Sequence, residues 1–146
     1  MTPEFLEKMR RLSDATVLVG TDLPPAVNHV LQFLAVECEV KESMEVLAPI
    51  PLIAERLDIS QSTAAHGIRY LKKLDLIDKG AHARKMGTNV VVKLEALEEM
   101  ADRIRARSPS FVSLLESCGA IRARPVPLSV RKRTRAYAAA VAAGTL

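Results

Sequence analysis

A run of polar side chains between residues 61 and 69 has the chemistry needed to hydrogen-bond to nucleic-acid bases. Gln61 can pair with adenine, and Arg69 can pair with guanine or with a phosphate oxygen. Ser62 and Thr63 can contact phosphate or either base type, and the methyl group of Ala65 can lie against a thymine methyl. Ser60, just before this run, and Lys72, the next basic residue after it, are added to the set. The candidate contact residues are therefore Ser60, Gln61, Ser62, Thr63, Ala65, His66, Arg69 and Lys72.

A helix over residues 60–74 is predicted to carry this run. Ser60 is a favourable N-cap. A buried stripe is expected where apolar residues recur every three or four positions, at Ala64, Ile68, Leu71 and Leu74. Once this stripe is buried, the polar run must face outward.

Gly67 lies inside the helix at a cost of ~1 kcal/mol relative to alanine. It either permits close packing against another helix or simply weakens this one.

A shorter helix is predicted just before the break at Asp58, Ile59 and Ser60, beginning at Pro51 and ending at Leu57. Ala54 is small enough for the second helix to pack against it, and Ile59 can plug the space between the two helices. These features are typical of a helix-turn-helix, whose second helix reaches base edges in the major groove. Short amphipathic helix pairs of this kind also occur in proteins that never touch nucleic acid.

A hairpin is predicted behind the second helix, with a basic wing at residues 80–93. Glycine and asparagine residues mark its turn, and the three valines at 90–92 form the clearest strand of the chain. The wing contains Arg84, Lys85 and Lys93 and no acidic residue. An unrelated solvated turn would also be polar, but it would have no reason to exclude acids. A basic ribbon can contact the phosphate backbone or the minor groove, so Arg84 and Lys85 join the candidate contacts.

The rest of the chain is predicted to be mainly helical. The expected elements are a helix at 3–12 with a connector to Asp22, a helix at 23–40, a short strand at about 44–48, and a helix from 95 that is interrupted at Pro109. A further short helix stops at Gly119. The predicted fold class is therefore mainly α with a small β-hairpin wing.

Composition predicts one domain with an aliphatic core. The chain has 146 residues, of which 49% are hydrophobic, yet it contains no Trp, two Tyr and three Phe. No apolar run is long enough to span a membrane, and the first residues lack the pattern of a signal peptide, so a cytoplasmic location is expected. Cys38 and Cys118 are isolated, which favours free thiols.

Positive charge is concentrated at the C-terminal end of the chain. Six of the 21 basic residues and none of the 17 acidic residues lie from residue 117 onward, although the whole chain carries a net charge of +4. Two interpretations stay open for this basic tail: additional phosphate contacts, or a solvated segment without a partner.

Catalytic and metal-binding patterns are absent from the sequence. It contains no phosphate-cradling glycine loop, no G-x-S-x-G and no H-E-x-x-H. His29 and Cys38 lie nine residues apart on one predicted helix, so their side chains cannot converge on a metal there. We therefore expect neither an enzyme nor a bound metal or cofactor.

The segment "IPLIAERLDISQSTAAHGIRYLKKLDLIDKGAHARKMGTNVVVKL" resembles the winged helix-turn-helix of bacterial transcription regulators, broadly the MarR-type and similar families. The cap "LDISQST" and the run "YLKKLDLI" carry this resemblance, which covers about residues 25–107. It implies a homodimer that reads two half-sites on double-stranded DNA. It puts helix 60–74 in the major groove through Gln61, Ser62, Thr63, Ala65, His66 and Arg69, and Arg84 and Lys85 on the wing. The sequence departs from the family pattern at His66, where arginine is common, and in its basic tail.

The resemblance divides the chain into four parts. These are an N-terminal helix and connector at 1–22, a winged helix-turn-helix domain at 23–107, a C-terminal helix at 108–121 and the basic tail at 122–146. Phe111, Leu114 and Leu115 are candidates for packing across the two-fold axis of a dimer. The alternatives on the same fold are a replication or partition protein and a protein-docking module. The operator, the direction of regulation and any small-molecule effector cannot be read from the sequence.

Overall fold

The computed structural model describes residues 1–80 and 89–123, which form six helices and three short strands. No helix in these ranges is both long and apolar enough to cross a membrane. The order of elements agrees with the predicted order. In chain order, the elements are α1 (Pro3–Gly20), α2 (Pro25–Lys41), β1 (Glu45–Leu47), α3 (Ile50–Leu57), α4 (Gln61–Lys73), β2 (Ile77–Lys79), β3 (Asn89–Val92), α5 (Leu94–Arg107) and α6 (Pro109–Ser117).

The first helix is longer than the sequence predicts, because the expected connector is helical as far as Gly20. Its β-branched residues have low helix propensity, but burial of Ala15, Leu18 and Val19 overrides that preference. The hydroxyl of Thr16 donates to the carbonyl of Ser13 (3.1 Å), so this buried polar side chain has its partner within the helix.

The three strands form one small antiparallel sheet with the order β1-β3-β2. Val46 of β1 lies opposite Val90 of β3, and Ile77 of β2 lies opposite Val92 of β3. All four side chains are buried, so the sheet has one face against the core. The predicted valine strand is thus the central strand, and the predicted short strand near residue 45 pairs with it.

Three helices end with an acidic residue in the left-handed conformation, where glycine is more usual. Glu42, Asp58 and Asp75 have φ values of 52°, 53° and 62°. The following residue in each case donates its N–H five residues back, as in Ile59 N to Ala54 O (3.0 Å). These turns satisfy carbonyls that the helix ends would otherwise leave without a partner.

The core is aliphatic, as the composition predicts, and both cysteines are free. Cys38 is fully buried on α2, and this burial raises its thiol pKa from 9.0 to about 12. Because the thiol stays protonated at neutral pH, Cys38 behaves as a small apolar core residue. Cys118, just after α6, is exposed.

Gly67 allows α2 and α4 to pack closely. A Cβ atom at this position would lie 2.8 Å from Cγ2 and 3.2 Å from Cβ of Val30 on α2. Both Val30 and Gly67 are buried. Of the two roles considered for this glycine, the structure supports close packing against a neighbouring helix.

We predict that Gly67→Ala destabilises the protein by about 1–3 kcal/mol, because the added methyl overpacks the contact with Val30. Alanine's better helix propensity, worth about 1 kcal/mol, offsets only part of this cost. Urea unfolding of Gly67→Ala, Val30→Ala and the double variant measures the coupling. We expect the double variant to be more stable than the sum of the single effects, because the space vacated by valine accepts the new methyl. Additive effects would contradict a direct clash at this contact.

Candidate nucleic-acid interface

Helices α3 and α4 are joined by a three-residue turn formed by Asp58, Ile59 and Ser60. Ala54 of α3 is buried, and Ile59 is half-buried against the core. The small residue and the apolar plug expected from the sequence therefore lie where they were predicted. A pair of helices with a turn of this length has the connection used by helix-turn-helix motifs.

Ser60 fixes the start of α4. Its Oγ accepts a hydrogen bond from the backbone N–H of Thr63 (3.0 Å) and lies 2.8 Å from the hydroxyl of Thr63. The predicted N-cap is confirmed. Because both hydroxyls take part in this cap, Ser60 and Thr63 contribute mainly to positioning the first turn of α4.

The polar run faces outward, as predicted. Thr63 and Ala65 are half-buried, and the exposed predicted contact residues on α4 are Gln61, Ser62, His66, Arg69 and Lys72. The opposite face is buried through Ala64, Gly67, Ile68 and Leu71. The prediction for Leu74 was wrong: the helix ends at Lys73, Leu74 is 41% exposed, and Leu76 enters the core instead.

Lys73 also lies on the outward face, although the sequence analysis did not single it out. It is exposed and follows Ser62 by eleven residues, close to three full helical turns. The spacing from Ser62 through His66 and Arg69 to Lys73 is the usual repeat of one helix face. This spacing in the sequence could have identified Lys73 as a residue of the outward face.

The outward face of α4 is positively charged. The helix contains Arg69, Lys72 and Lys73 and no acidic residue. Asp75, two residues beyond its end, binds the Nζ atom of Lys93 (2.8 Å). This hydrogen bond raises the pKa of Lys93, and the ammonium in turn offsets the negative charge of Asp75. Lys93 was expected among the basic residues of the wing, but the structure pairs it with Asp75.

The ring of His66 is placed by its neighbour one turn along the helix. The centroids of His66 and Tyr70 lie 6.0 Å apart with an interplanar angle of 67°, an edge-to-face arrangement. His66 itself is exposed, so its imidazole remains open to a partner on the outward face.

Strands β2 and β3 pair antiparallel, as expected for the two strands of the predicted hairpin. The N–H of Gly80 donates to the carbonyl of Asn89 (2.7 Å), which extends this pairing by one residue beyond Lys79. A Cβ atom on Gly80 would lie 2.6 Å from the Cβ atom of Asn89, so glycine is required by this close approach. Arg84 and Lys85 fall within residues 81–88 and lie outside the described residues.

The first residue of the basic tail is bound to α1. The Arg122 guanidinium contacts Asp14 through Nε (2.9 Å) and Glu7 through Nη1 (3.2 Å). These hydrogen bonds, with that to Asp14 the stronger, raise the pKa of Arg122. Arg122 is therefore paired with two carboxylates of α1 within the protein. The remaining tail residues, 124–146, lie outside the described residues.

The described residues, 1–80 and 89–123, contain no cluster of side chains that could hold a metal ion. No group of three or more His, Cys, Asp or Glu side chains is arranged to do so.

A cleft of about 350 Å³ lies between α1 and α5. Its charged lining includes two sets of ion pairs, Arg11 with Glu98 and Arg122 with Glu7 and Asp14.

We predict that Ser60→Ala lowers the free energy of unfolding by about 1 kcal/mol, because α4 loses the acceptor for the Thr63 N–H. Ser62→Ala is the matched control, since Ser62 is exposed two positions later on the same helix. Urea unfolding measures both variants. Equal stabilities for Ser60→Ala and Ser62→Ala would show that the cap does not hold the helix start.

Comparison of the chain with known protein families, with curated proteins and with solved structures finds no match. Function is therefore inferred from the outward face of α4, the neighbouring hairpin and the distribution of charge.

Proposed function

We propose that this protein binds double-stranded DNA sequence-specifically and acts as a transcriptional regulator of the winged helix-turn-helix type. In this proposal α4 enters the major groove, and the β2–β3 hairpin is the wing. The observation that carries it is the outward face of α4. It combines hydrogen-bonding side chains with three basic residues and contains no acid.

The composition of this face supports base reading as well as phosphate binding. Gln61 and Ser62 are exposed in the first turn, the part of a recognition helix that meets base edges. Arg69 is exposed two turns later and can bind guanine through two hydrogen bonds. Lys72 and Lys73, at the end of the helix, suit phosphate contacts that position the protein without reading sequence.

The same face is poorly suited to serve as the centre of a protein interface. Interface centres are depleted in charged residues and enriched in aromatic residues and methionine. The exposed surface of α4 instead carries Arg69, Lys72 and Lys73 with small polar side chains. Charge of one sign over a polar surface favours a polyanion as the partner.

The wing supports the proposal through its sequence and its attachment to α4. Strand β2 begins four residues after α4 ends and contacts that helix. The segment between β2 and β3 contains Arg84 and Lys85 and no acidic residue. In the proposed complex these side chains bind the backbone or the minor groove beside the site that α4 reads.

A homodimer is part of the proposal, with α6 at its interface. Phe111 is 41% exposed and Leu114 is 62% exposed. The only charged residue of α6 is Glu116, which lies 3.8 Å from Arg105 of α5. An outer face that combines two exposed apolar side chains with serines suits a symmetric contact with its own copy, because no like charges are brought together. Such a dimer would match a site with two-fold symmetry.

Selection of bound sequences from a random duplex pool tests the proposal directly. We expect enrichment of one motif made of two inverted half-sites whose centres lie about one helical turn apart, or a multiple of it. A single half-site would retain DNA reading but contradict the dimer. No bound DNA at low salt would contradict DNA binding itself, because electrostatic binding is strongest under that condition.

Point variants of the outward face separate base reading from general attraction. Arg69→Ala and Gln61→Ala should each weaken binding to the selected site by ~1–3 kcal/mol, with little effect on random DNA. Arg103→Ala is the control for loss of one positive charge, since Arg103 is exposed on α5. Fluorescence anisotropy at one fixed salt concentration measures all three variants. Equal losses for Arg69→Ala and Arg103→Ala would show that net charge, and not α4, determines affinity.

A further inference from the structure

The guanidinium of Arg105 on α5 is largely buried and incompletely hydrogen-bonded. Its side chain is 19% exposed, and its Nε atom is shielded from solvent and has no hydrogen-bond partner. Within residues 1–80 and 89–123, Nε of Arg105 is the only buried side-chain nitrogen or oxygen in this position. Native proteins nearly always pair such atoms, and the exceptions are concentrated at functional sites.

The carboxylate that faces Arg105 holds it weakly. Oε1 of Glu116 on α6 lies 3.8 Å from Nη1 of Arg105, which is an ion-pair distance but too long for a hydrogen bond. A guanidinium normally binds a carboxylate through two short parallel hydrogen bonds. Arg105 therefore retains the capacity to bind a better-placed acceptor.

Arg105 lines the cleft of about 350 Å³ between α1 and α5. Two small apolar residues also line this cleft, Ala15 of α1 and Ala101 of α5, and both are buried. Sites for small molecules usually have volumes of about 300–1,000 Å³ and a mostly apolar lining with few polar groups. The space beside Arg105 is thus large enough for a molecule of several carbon atoms.

The charges of the cleft favour an anion as the ligand. Apart from Arg105, the charged residues that line it are paired with one another: Arg11 with Glu98, and Arg122 with Glu7 and Asp14. Arg105 is the remaining cation, since Glu116 does not line the cleft. One unmatched guanidinium in a partly buried site attracts one negative charge.

The same lining favours a monocarboxylate with an aliphatic chain over inorganic phosphate. Glu98 and Asp14 line the cleft, so a second negative charge on the ligand would be repelled. Contact with Ala15 and Ala101 stabilises an apolar group, because it removes apolar surface from water. Phosphate has no apolar group and carries more charge.

We propose that the cleft between α1 and α5 binds a small aliphatic monocarboxylate. The Arg105 guanidinium turns from Glu116 and donates two hydrogen bonds to the carboxylate, and the aliphatic chain lies against Ala15 and Ala101. The site is formed by α1 and α5 and contains no residue of α4. It does not depend on DNA binding, and it is tested without DNA.

Hexanoate is the probe, and the full chain is used. Isothermal titration calorimetry gives its dissociation constant. At about ten times that concentration, we expect hexanoate to raise the midpoint of thermal unfolding by roughly 3–6 °C, because a ligand that binds only the folded protein stabilises it. Hexanol and inorganic phosphate are tested at the same concentration and ionic strength.

Each control isolates one part of the proposal. Hexanol has the chain without the charge, and phosphate has the charge without the chain. A shift with hexanol equal to that with hexanoate would show that the carboxylate is not recognised. An equal shift with phosphate would show a general anion site, and no effect of hexanoate would remove the proposed ligand class altogether.

Arg105→Met tests the assigned residue. We expect the affinity for hexanoate to fall roughly tenfold or more, because a charge-assisted pair of hydrogen bonds is lost. The midpoint of the ligand-free protein should rise, since methionine replaces an incompletely paired, buried charge with an apolar side chain. Arg103→Met is the matched control, because Arg103 is exposed on the same helix. Unchanged affinity in Arg105→Met would overturn the assignment.

Glu116→Gln keeps the guanidinium and provides a milder second variant. It removes the carboxylate that competes with the ligand for Arg105, so we expect hexanoate to bind several-fold more tightly. Weaker binding in Glu116→Gln would show that Glu116 holds Arg105 in its binding position, which is the opposite of the proposed movement. Neither variant alters α4, so failure here leaves the proposed binding of DNA unaffected.

Discussion

The contact between Val30 of α2 and Gly67 of α4 is the constraint on which the candidate site depends. Because Gly67 has no side chain, the backbone of α4 lies directly against the Val30 side chain of α2. Burial of Ala64, Ile68 and Leu71 then fixes the rotation of α4 about its own axis. With 3.6 residues per turn, every outward position follows from that rotation. The polar face of α4 is therefore a geometric result of how its apolar face packs.

The packing of the other helices, such as α1 against α5, is stabilised mainly by burial of apolar side chains. Ion pairs contribute less to this stability. Leu12 and Leu18 of α1 and Leu97 of α5 are fully buried, and each such side chain contributes about 1.5–3 kcal/mol. Two ion pairs of α5, Arg11 of α1 with Glu98 and Asp22 of the α1–α2 connection with Arg107, are partly exposed. Exposed pairs contribute about 0–1 kcal/mol each. Their contribution to the stability of the helix packing is therefore smaller than that of the buried leucines.

The sequence predicted those features that depend on neighbours along the chain. The cap at Ser60, the valine strand and the break at Pro109 each require only a few adjacent residues. Features that depend on distant residues were missed or mistaken. The connector before Gly20 is helical because burial outweighs propensity. Lys93 meets Asp75 across 18 residues, and Arg122 meets Glu7 across 115. The candidate site was largely predictable because α4 is a local, strongly periodic element.

The distribution of charge restricts how the proposed complex with DNA can form. Residues 1–116 contain fifteen basic and seventeen acidic residues, so the domain without its tail would not attract a polyanion through net charge. Attraction must then come from the local charge of α4 and the wing, acting within a Debye length of about 8 Å at physiological salt. In the proposed complex, positive charge concentrated on α4 would favour one orientation of the bound DNA.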